Sequence, residues 1–156
     1  MDLLTQGLLG ATMAQSGAKQ QETRMATGIG FFAGIAADVD ILIQSENDPL
    51  LNIEFHRHFT HSLFFVPLGA LIVALLLWPF LRKRLPFARL YLFTFLGYCL
   101  SGTLDAFTSY GTNLLWPVSD ERVALNIISV LDPAFTLILL IAGAVAFKKY
   151  SHAAAR

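Results

Sequence analysis

The stretch that decides the fold is Ser62–Leu81, with the sequence SLFFVPLGALIVALLLWPFL, which contains no charged residue. A helix needs about 20 predominantly apolar residues to cross the hydrocarbon core of a bilayer, and this stretch has that length. The whole chain of 156 residues is 55% hydrophobic and only 14% charged, whereas soluble domains contain about 25% charged residues. Length and composition therefore predict an integral membrane protein.

The other apolar runs predict an all-α fold, a polytopic membrane helical bundle with about four or five transmembrane helices. Helices are expected near residues 3–16, 24–43, 62–81, 88–107 and 133–149, within a single integral membrane domain that covers residues 1–156. Asp132 followed by Pro133 is typical of a helix start, with aspartate as the N-cap and proline at the first helical position. Small residues around Gly30 and Gly34 predict close packing of the second helix.

Basic residues lie in three groups beside these runs: Lys19 and Arg24; Arg82, Lys83, Arg84 and Arg89; Lys148 and Lys149. The positive-inside rule places all three groups in the cytoplasm. The topology that results collects a set of polar side chains at the opposite, extracytoplasmic end of the helices: Gln6, Asp38, Asp40, the histidines of residues 56–61, Asp105 and Asp132.

The motif His56–Ser62, with the sequence HRHFTHS, holds three of the four histidines of the chain. His56 and His61 would diverge by about 140° on an ideal helix, so they converge on one ion only if the chain bends between them. Thr60 or Ser62 suits the N-cap of the next helix. Arg57 could pair with a phosphate oxygen in bidentate fashion. The alternative is an interfacial loop in which these side chains contact lipid headgroups.

Carboxylates lie at the ends of two other apolar runs. Asp38 and Asp40 lie at the end of one run, and Asp105 lies at the end of the other. Ionisable groups at a membrane edge are costly and usually functional. Asp38 and Asp40 would lie on different faces of a helix, so one is expected to point to a site while the other caps or supports it; hydrated termination of the helix is the alternative. After Asp105, the hydroxyl of Thr108 could orient a ligand and Gly111 permits a tight turn, although loop solvation also explains such hydroxyls.

Imidazole and carboxylate ligands without thiolates suit a divalent metal ion, zinc first and manganese or iron as alternatives. Cys99 is the only cysteine and lies in an apolar run, as a small buried hydrophobe does. The net charge of zero gives no support for a nucleic-acid partner. A metal site with an open position lowers the pKa of bound water toward neutrality, which is hydrolase chemistry.

Several motifs of the chain, taken in sequence order, resemble those of a bacterial family of inner-membrane metal-dependent hydrolases. This is the YdjM-like group of LexA-regulated membrane-bound hydrolases. The matching pieces are residues 2–11, 37–40, 56–62, 104–112, 115–117 and 128–133. The resemblance implies a reaction class and no substrate. The family usually has a histidine where Gln6 stands and another where Ser101 stands, four residues before Asp105. Relatives with the Asp132-Pro133 element are often longer, so the resemblance also allows a short form or a fragment.

The primary hypothesis is a multi-pass hydrolase of the bacterial inner membrane, with an extracytoplasmic-facing site that acts on a lipid or phosphoester substrate through a metal-activated water. Catalytic roles are predicted for Asp38, Asp105 and Arg57. The predicted metal ligands are His56, His61, Asp40, Asp38 and Asp105. Supporting roles are predicted for Thr60, Ser62, Thr108, Gly111, Asp132, Gln6 and Ser101.

Membrane lipid is the expected partner under this hypothesis, as the surroundings of the site and as the source of a lipid-linked substrate. The second hypothesis is a non-catalytic metal- or lipid-binding membrane protein derived from the same family and degraded at Gln6 and Ser101. A small transporter is the third. Transporters usually bind their cargo near the bilayer midplane, whereas these polar residues collect at one end.

Overall fold

The regular structure is entirely helical in the computed structural model, which describes residues 1–42 and 56–153. The helices are α1 (Leu3–Ser16), α2 (Thr23–Ala36), α3 (Val66–Leu81), α4 (Phe87–Tyr98), α5 (Ser101–Ala106) and α6 (Pro133–Ala153). Three short 3-10 helices complete them: Gln20–Glu22, Ala37–Leu42 and Phe59–His61. Within the described residues, β structure is limited to the isolated bridges Thr108–Ile128 and Thr112–Val123. The prediction of an all-α fold is confirmed.

Two helical stretches of the described residues are long and apolar enough to cross a membrane, Gln20–Leu42 and Phe87–Ala106. This is fewer than the four or five that the sequence predicts. The run at 62–81 becomes α-helical only at Val66 and gives a helix of 16 residues, because its first residues continue the turn that carries the histidine motif. Helix α1 has 14 residues and is therefore about 21 Å long, short of the roughly 30 Å hydrocarbon core.

Glycines let three helices touch through their backbones. A Cβ atom added at Gly10 of α1 would lie 2.4 Å from the carbonyl oxygen of Gly30 in α2 and 2.7 Å from that of Gly97 in α4. One added at Gly34 would lie 2.4 Å from the carbonyl oxygen of Gln6. Small residues allow this approach between membrane helices. The contact places the start of α1 beside the end of α2, where the candidate site lies.

The interior is built from small and medium side chains, while large apolar side chains cover the outside. Alanines fill much of both core clusters, with Phe93 and Tyr98 as the largest buried members. Helix α3 exposes five large apolar residues: Leu68, Ile72, Leu75, Leu76 and Phe80. Soluble monomers rarely expose apolar patches of that extent. The outer surface of α3 therefore suits a hydrocarbon environment.

Helix α6 is capped and attached to α1 at the same end of the molecule. The carboxylate of Asp132 accepts a hydrogen bond from the backbone N–H of Phe135 (3.0 Å), and Pro133 occupies the first helical position. The hydroxyls of Thr5 and Thr136 lie 2.6 Å apart and join α1 to α6. Asp132 therefore acts as a helix cap in this fold.

Candidate metal centre

Three buried side chains from distant parts of the chain meet at the end of α2. Asp38 lies in the 3-10 helix that follows α2, His61 ends the Phe59–His61 turn, and Asp105 lies in α5. The Nε2 atom of His61 is 3.3 Å from Oδ1 of Asp38 and 3.0 Å from Oδ2 of Asp105. One potential ligand atom from each residue lies within 4.8 Å of the others. We call these three residues the ligand trio.

The trio holds polar atoms that the described residues leave unsatisfied. Both carboxylate oxygens of Asp38 and the Nε2 atom of His61 are buried and have no hydrogen-bond partner within the described residues, although Nε2 lies 3.0 Å from Oδ2 of Asp105. Buried polar atoms are nearly always hydrogen-bonded, and a buried polar atom without a hydrogen bond is costly. The N-terminal ammonium of Met1 pairs with Oδ1 of Asp105, while the Asp38 carboxylate has no such bond. One imidazole and two converging carboxylates are a donor set that fits a divalent cation.

Asp40 forms a second layer behind His61. Its Oδ2 atom accepts hydrogen bonds from the backbone N–H of Arg57 (2.6 Å) and from the hydroxyl of Thr60 (2.7 Å), and its Oδ1 atom lies 3.2 Å from Nδ1 of His56. The Thr60 hydroxyl also lies 3.0 Å from Nδ1 of His61. Such outer contacts fix the orientation of a metal-binding imidazole. The structure thus places His56 and Asp40 beside the trio, on the far side of the His61 ring.

Arg57 brings a buried cation to the trio. Its backbone has φ of 58°, and its Nε atom lies 3.4 Å from Oδ2 of Asp105. The guanidinium stands over the ring of Tyr110, 5.0 Å from the centroid. Burial lowers the pKa of Arg57, while the nearby charge of Asp38 raises it in part. Guanidinium groups are cations throughout the physiological pH range.

Two of the guanidinium nitrogens of Arg57, Nε and Nη1, have no hydrogen-bond partner among the residues that the structure describes. The third, Nη2, donates to the carbonyl oxygen of Met1 (3.1 Å). Arginine presents its donors in a planar fork that matches the oxygens of a phosphate. The trio therefore lies beside a fixed positive charge that retains donors for an oxyanion.

The family profile described as YdjM inner membrane protein matches residues 1–155 of the chain. The chain belongs to the YdjM inner membrane protein family. The predicted resemblance to the YdjM-like family is confirmed, and membership together with the apolar helices indicates a membrane protein.

A relative of this YdjM-family chain is the uncharacterized protein YfhP of Bacillus subtilis (strain 168). The two are 35% identical over 98 residues, which is 63% of this chain and 29% of the relative. The chain therefore spans less than a third of the relative's length. No solved structure matches the chain.

The two positions at which this YdjM-family chain departs from the expected motif have different surroundings. Gln6 is buried, and its side-chain N–H group donates to Oδ2 of Asp105 (3.1 Å) and to the carbonyl oxygen of Ser101 (3.4 Å). The hydroxyl of Ser101 instead donates to the carbonyl oxygen of Tyr98 within its own helical segment (2.7 Å). Gln6 thus touches the trio directly, while Ser101 contributes a backbone oxygen next to it.

The remaining supporting residues hold the backbone around the site. Thr108 donates to the carbonyl oxygen of Asp105 (2.8 Å), and Ser62 accepts from the backbone N–H of Phe65 (3.2 Å). Gly111 has φ of 70°, and a Cβ there would lie 2.6 Å from the carbonyl oxygen of Val123. These residues shape the loops that carry Asp105 and His61, and their hydroxyls are used for that purpose.

Sequence reasoning missed two residues that position His61. Tyr98 is buried, and its hydroxyl donates to the carbonyl oxygen of Thr60 (2.8 Å). Gly102 lies against the His61 backbone, because a Cβ there would be 1.9 Å from the His61 carbonyl oxygen. A glycine three residues before Asp105 was the available signal for close approach, whereas no local pattern distinguishes Tyr98 from an ordinary interfacial aromatic residue.

Proposed function

We propose that this protein is a metal-dependent phosphoester hydrolase of the bacterial inner membrane, in which Asp38, His61 and Asp105 bind one divalent ion, zinc before manganese or iron. The observation that carries the proposal is the set of unsatisfied buried atoms on Asp38 and His61 beside the cation of Arg57. A site that gathers ligands for a cation and donors for an oxyanion suits hydrolysis of a phosphate ester.

A bound divalent ion would supply Lewis acidity toward a phosphoryl oxygen and would lower the pKa of water. The chain's own residues account for the rest of the reaction. Arg57 would hold a non-bridging phosphoryl oxygen through Nε and Nη1. As the oxygen of water forms its bond to phosphorus, an Asp38 oxygen would take the proton that the water loses. The bond between phosphorus and the leaving oxygen would break, and that oxygen would take the proton from Asp38, which restores the carboxylate.

His56, Asp40 and Thr60 would act by holding His61. The hydroxyl of Thr60 bridges Oδ2 of Asp40 and Nδ1 of His61, so the ring is held with Nε2 toward the two carboxylates. Second-layer contacts of this kind typically change metal affinity by about 10- to 100-fold. The predicted ligand roles of His56 and Asp40 would then be positioning roles.

The proposal includes a multi-pass topology with the trio on the extracytoplasmic side. Its support is the distribution of basic residues, which lie near the opposite ends of the helices: Arg82, Lys83 and Arg84 follow α3, and Lys148 and Lys149 lie near the end of α6. The positive-inside rule orients such segments toward the cytoplasm.

Metal content measured by elemental mass spectrometry on detergent-purified protein tests the proposal. Wild-type protein is expected to carry close to one equivalent of zinc, manganese or iron, and His61→Ala and Asp105→Ala are expected to lose it. Asp132→Ala is the matched control, because this carboxylate caps α6 and should leave metal content unchanged. Wild-type protein that stays metal-free after loading with excess ion would refute the proposal.

A non-catalytic metal- or lipid-binding role is the second candidate, and Gln6 is the observation that favours it. Its side-chain N–H group occupies Oδ2 of Asp105, an oxygen that a metal ion would otherwise use. The double variant Gln6→His with Ser101→His separates the candidates. Turnover of a phosphoester by this variant and not by the wild type would favour the degraded, non-catalytic form; turnover by the wild type would exclude it.

A further inference from the structure

An apolar groove lies between the start of α2 and the end of α3, at the end of the molecule opposite the ligand trio. The groove encloses about 270 Å³. Its walls are apolar: Ile29 and Phe32 lie on α2, and Leu77 and Phe80 lie on α3. Two of these side chains are largely exposed, Phe32 at 63% and Phe80 at 80%. The groove therefore opens to the surroundings of the helices, which are hydrocarbon in a membrane protein.

Gly28 keeps the groove open. A Cβ atom added at Gly28 would meet no heavy atom within 4 Å in the described residues, whereas one added at Gly30 would lie 2.4 Å from the carbonyl oxygen of Gly10. Gly30 therefore serves the packing of α2 on α1, while Gly28 lines the groove and leaves space in it. From Arg24 to Phe32 the groove follows α2 for about 12 Å, from the helical rise of 1.5 Å per residue.

Positive charge collects at one end of the groove. Arg24 lies in the first turn of α2 and is the charged residue of the lining. On the other wall, the lining residue Leu81 ends α3. The next three residues are Arg82, Lys83 and Arg84, all exposed, and we call them the basic turn. Long cationic side chains at the ends of membrane helices reach the level of the lipid headgroups.

The neighbouring sequence offers little negative charge to balance these cations. Glu22 is the only acidic residue within residues 3–37 and 63–104. Its carboxylate forms an ion pair with Arg89, in which Oε1 of Glu22 accepts a hydrogen bond from Nε of Arg89 (3.1 Å). Because Arg89 balances Glu22, the residues that flank the groove keep an excess of positive charge.

We propose that this groove binds an anionic phospholipid, with one acyl chain between Phe32 and Phe80 and the phosphate at Arg24 and the basic turn. Basic pockets between membrane helices on the cytoplasmic side are suited to anionic headgroups, and a guanidinium forms charge-assisted hydrogen bonds with a phosphate. A water-soluble anion would leave the apolar walls unused, and an apolar partner helix would leave the cations without a counterion. The site is separate from the ligand trio and does not depend on the proposed hydrolase.

The experiment uses a phosphatidylglycerol with a diazirine in one acyl chain, in phosphatidylcholine vesicles that contain the full chain. After illumination, labelled peptides are mapped by mass spectrometry. Labelling is expected within residues 28–32 and 77–81, and excess unlabelled phosphatidylglycerol is expected to reduce it several-fold. A phosphatidylcholine probe with the same diazirine chain has no net charge and is expected to label without saturation.

Two results with the wild type would overturn the proposal. One is equal competition against the two probes, because the charge of the headgroup would then have no effect. The other is the absence of saturable labelling from these segments, which is the result expected if a helix of a partner protein fills the groove.

A pair of charge variants tests the headgroup contact. Arg24→Gln is expected to raise the phosphatidylglycerol concentration needed for half-maximal competition about five-fold, the effect of one basic residue near an anionic lipid. Lys149→Gln is the matched control, because it removes one exposed positive charge from α6, outside the groove lining, and should behave as the wild type. Equal shifts in the two variants would show that the overall surface charge attracts the lipid, and would overturn the proposal.

A pair of bulky variants tests the acyl-chain contact. Gly28→Trp places a large side chain in the open space of the groove and is expected to remove the saturable labelling. Leu75→Trp adds a tryptophan at a side chain of α3 that is 55% exposed and lies outside the groove lining, so its labelling should match the wild type. Equal saturable labelling of the two variants would overturn the proposal. Saturable labelling of wild-type protein that stays metal-free would support the lipid site while refuting the hydrolase.

Discussion

Gly102 lies directly against the carbonyl group of His61, close enough that an added Cβ atom would be 1.9 Å from the oxygen. His61, a candidate metal ligand, can therefore occupy its position only because residue 102 in α5 has no side chain. Backbone contacts of this kind cannot be relieved by rotating a side chain, because the obstructing atom belongs to the main chain.

Gly102→Ala is accordingly expected to displace the His61 turn. Overpacking of this kind typically costs about 1–3 kcal/mol of stability, and bound metal should fall with it. Thermal unfolding in detergent and metal content measure the two effects. Gly28→Ala is the control, since a Cβ at Gly28 meets nothing within 4 Å in the described residues. Equal behaviour of the two variants would contradict the packing argument.

Thr60→Val tests the second layer without changing the shape of the side chain. The hydroxyl bonds both Asp40 and His61, so its loss frees the imidazole to rotate. Metal affinity is expected to fall by about 10- to 100-fold, and competition with a chelator measures it. Thr94→Val is the control, because the Thr94 hydroxyl donates to the carbonyl oxygen of Tyr91 in its own helix and not to the site. A Thr60→Val affinity equal to that of the control would count against an orienting role.

The carboxylate of Asp2 is expected to stabilise α1 to an extent that depends on pH. This carboxylate caps the helix by accepting from the backbone N–H (3.0 Å) and the hydroxyl (2.6 Å) of Thr5. Burial raises the pKa of Asp2, but the hydrogen bonds from Thr5 outweigh it and hold the pKa below its ordinary value. Because the folded state has the lower pKa, the contribution is complete above the unfolded value of about 3.9 and is lost as the pH falls below it.

Two substitutions separate the cap from its charge. Asp2→Ala is expected to cost about 1 kcal/mol at neutral pH. Asp2→Asn keeps a capping side chain and should lose only the dependence on pH. Chemical denaturation between pH 3 and pH 7 measures the free energy of unfolding of both variants. This range includes pH values on either side of the aspartate pKa of about 3.9. A wild-type profile parallel to that of Asp2→Asn would show that the carboxylate charge adds nothing.

The end of α6 is expected to lie in the cytoplasm, because Lys148 and Lys149 lie near it and the positive-inside rule applies to short flanking segments. A green fluorescent protein fused after residue 156 should therefore fluoresce, and an alkaline phosphatase fused there should be inactive. The opposite pair of results would reverse the proposed sidedness of the trio.

Local patterns predict the helices well and their interruptions poorly. Hydropathy treats residues 62–81 as one run, yet α3 begins only at Val66. The backbone N–H of Leu63 donates to the carbonyl oxygen of Leu114 (3.0 Å), so a loop about fifty positions away in sequence holds the start of the run outside the helix. A window of neighbouring residues contains no information on such a contact.

The same distinction applies to the site. Charge asymmetry gathers Asp38, His61 and Asp105 at one end, and the structure brings these three together. The sequence also predicts that one of Asp38 and Asp40 supports the other, but not which one. That choice depends on a 3-10 helix at residues 37–42, which turns about 120° per residue and so changes the direction of each side chain relative to an α-helix.

The exposed apolar face of α3 has a consequence for how the protein is extracted. Leu76 and Phe80 are 67% and 80% exposed, so the alkyl chains of a detergent cover the surface that lipid tails would cover in a bilayer. Exchange into lipid nanodiscs is expected to return that surface to lipid.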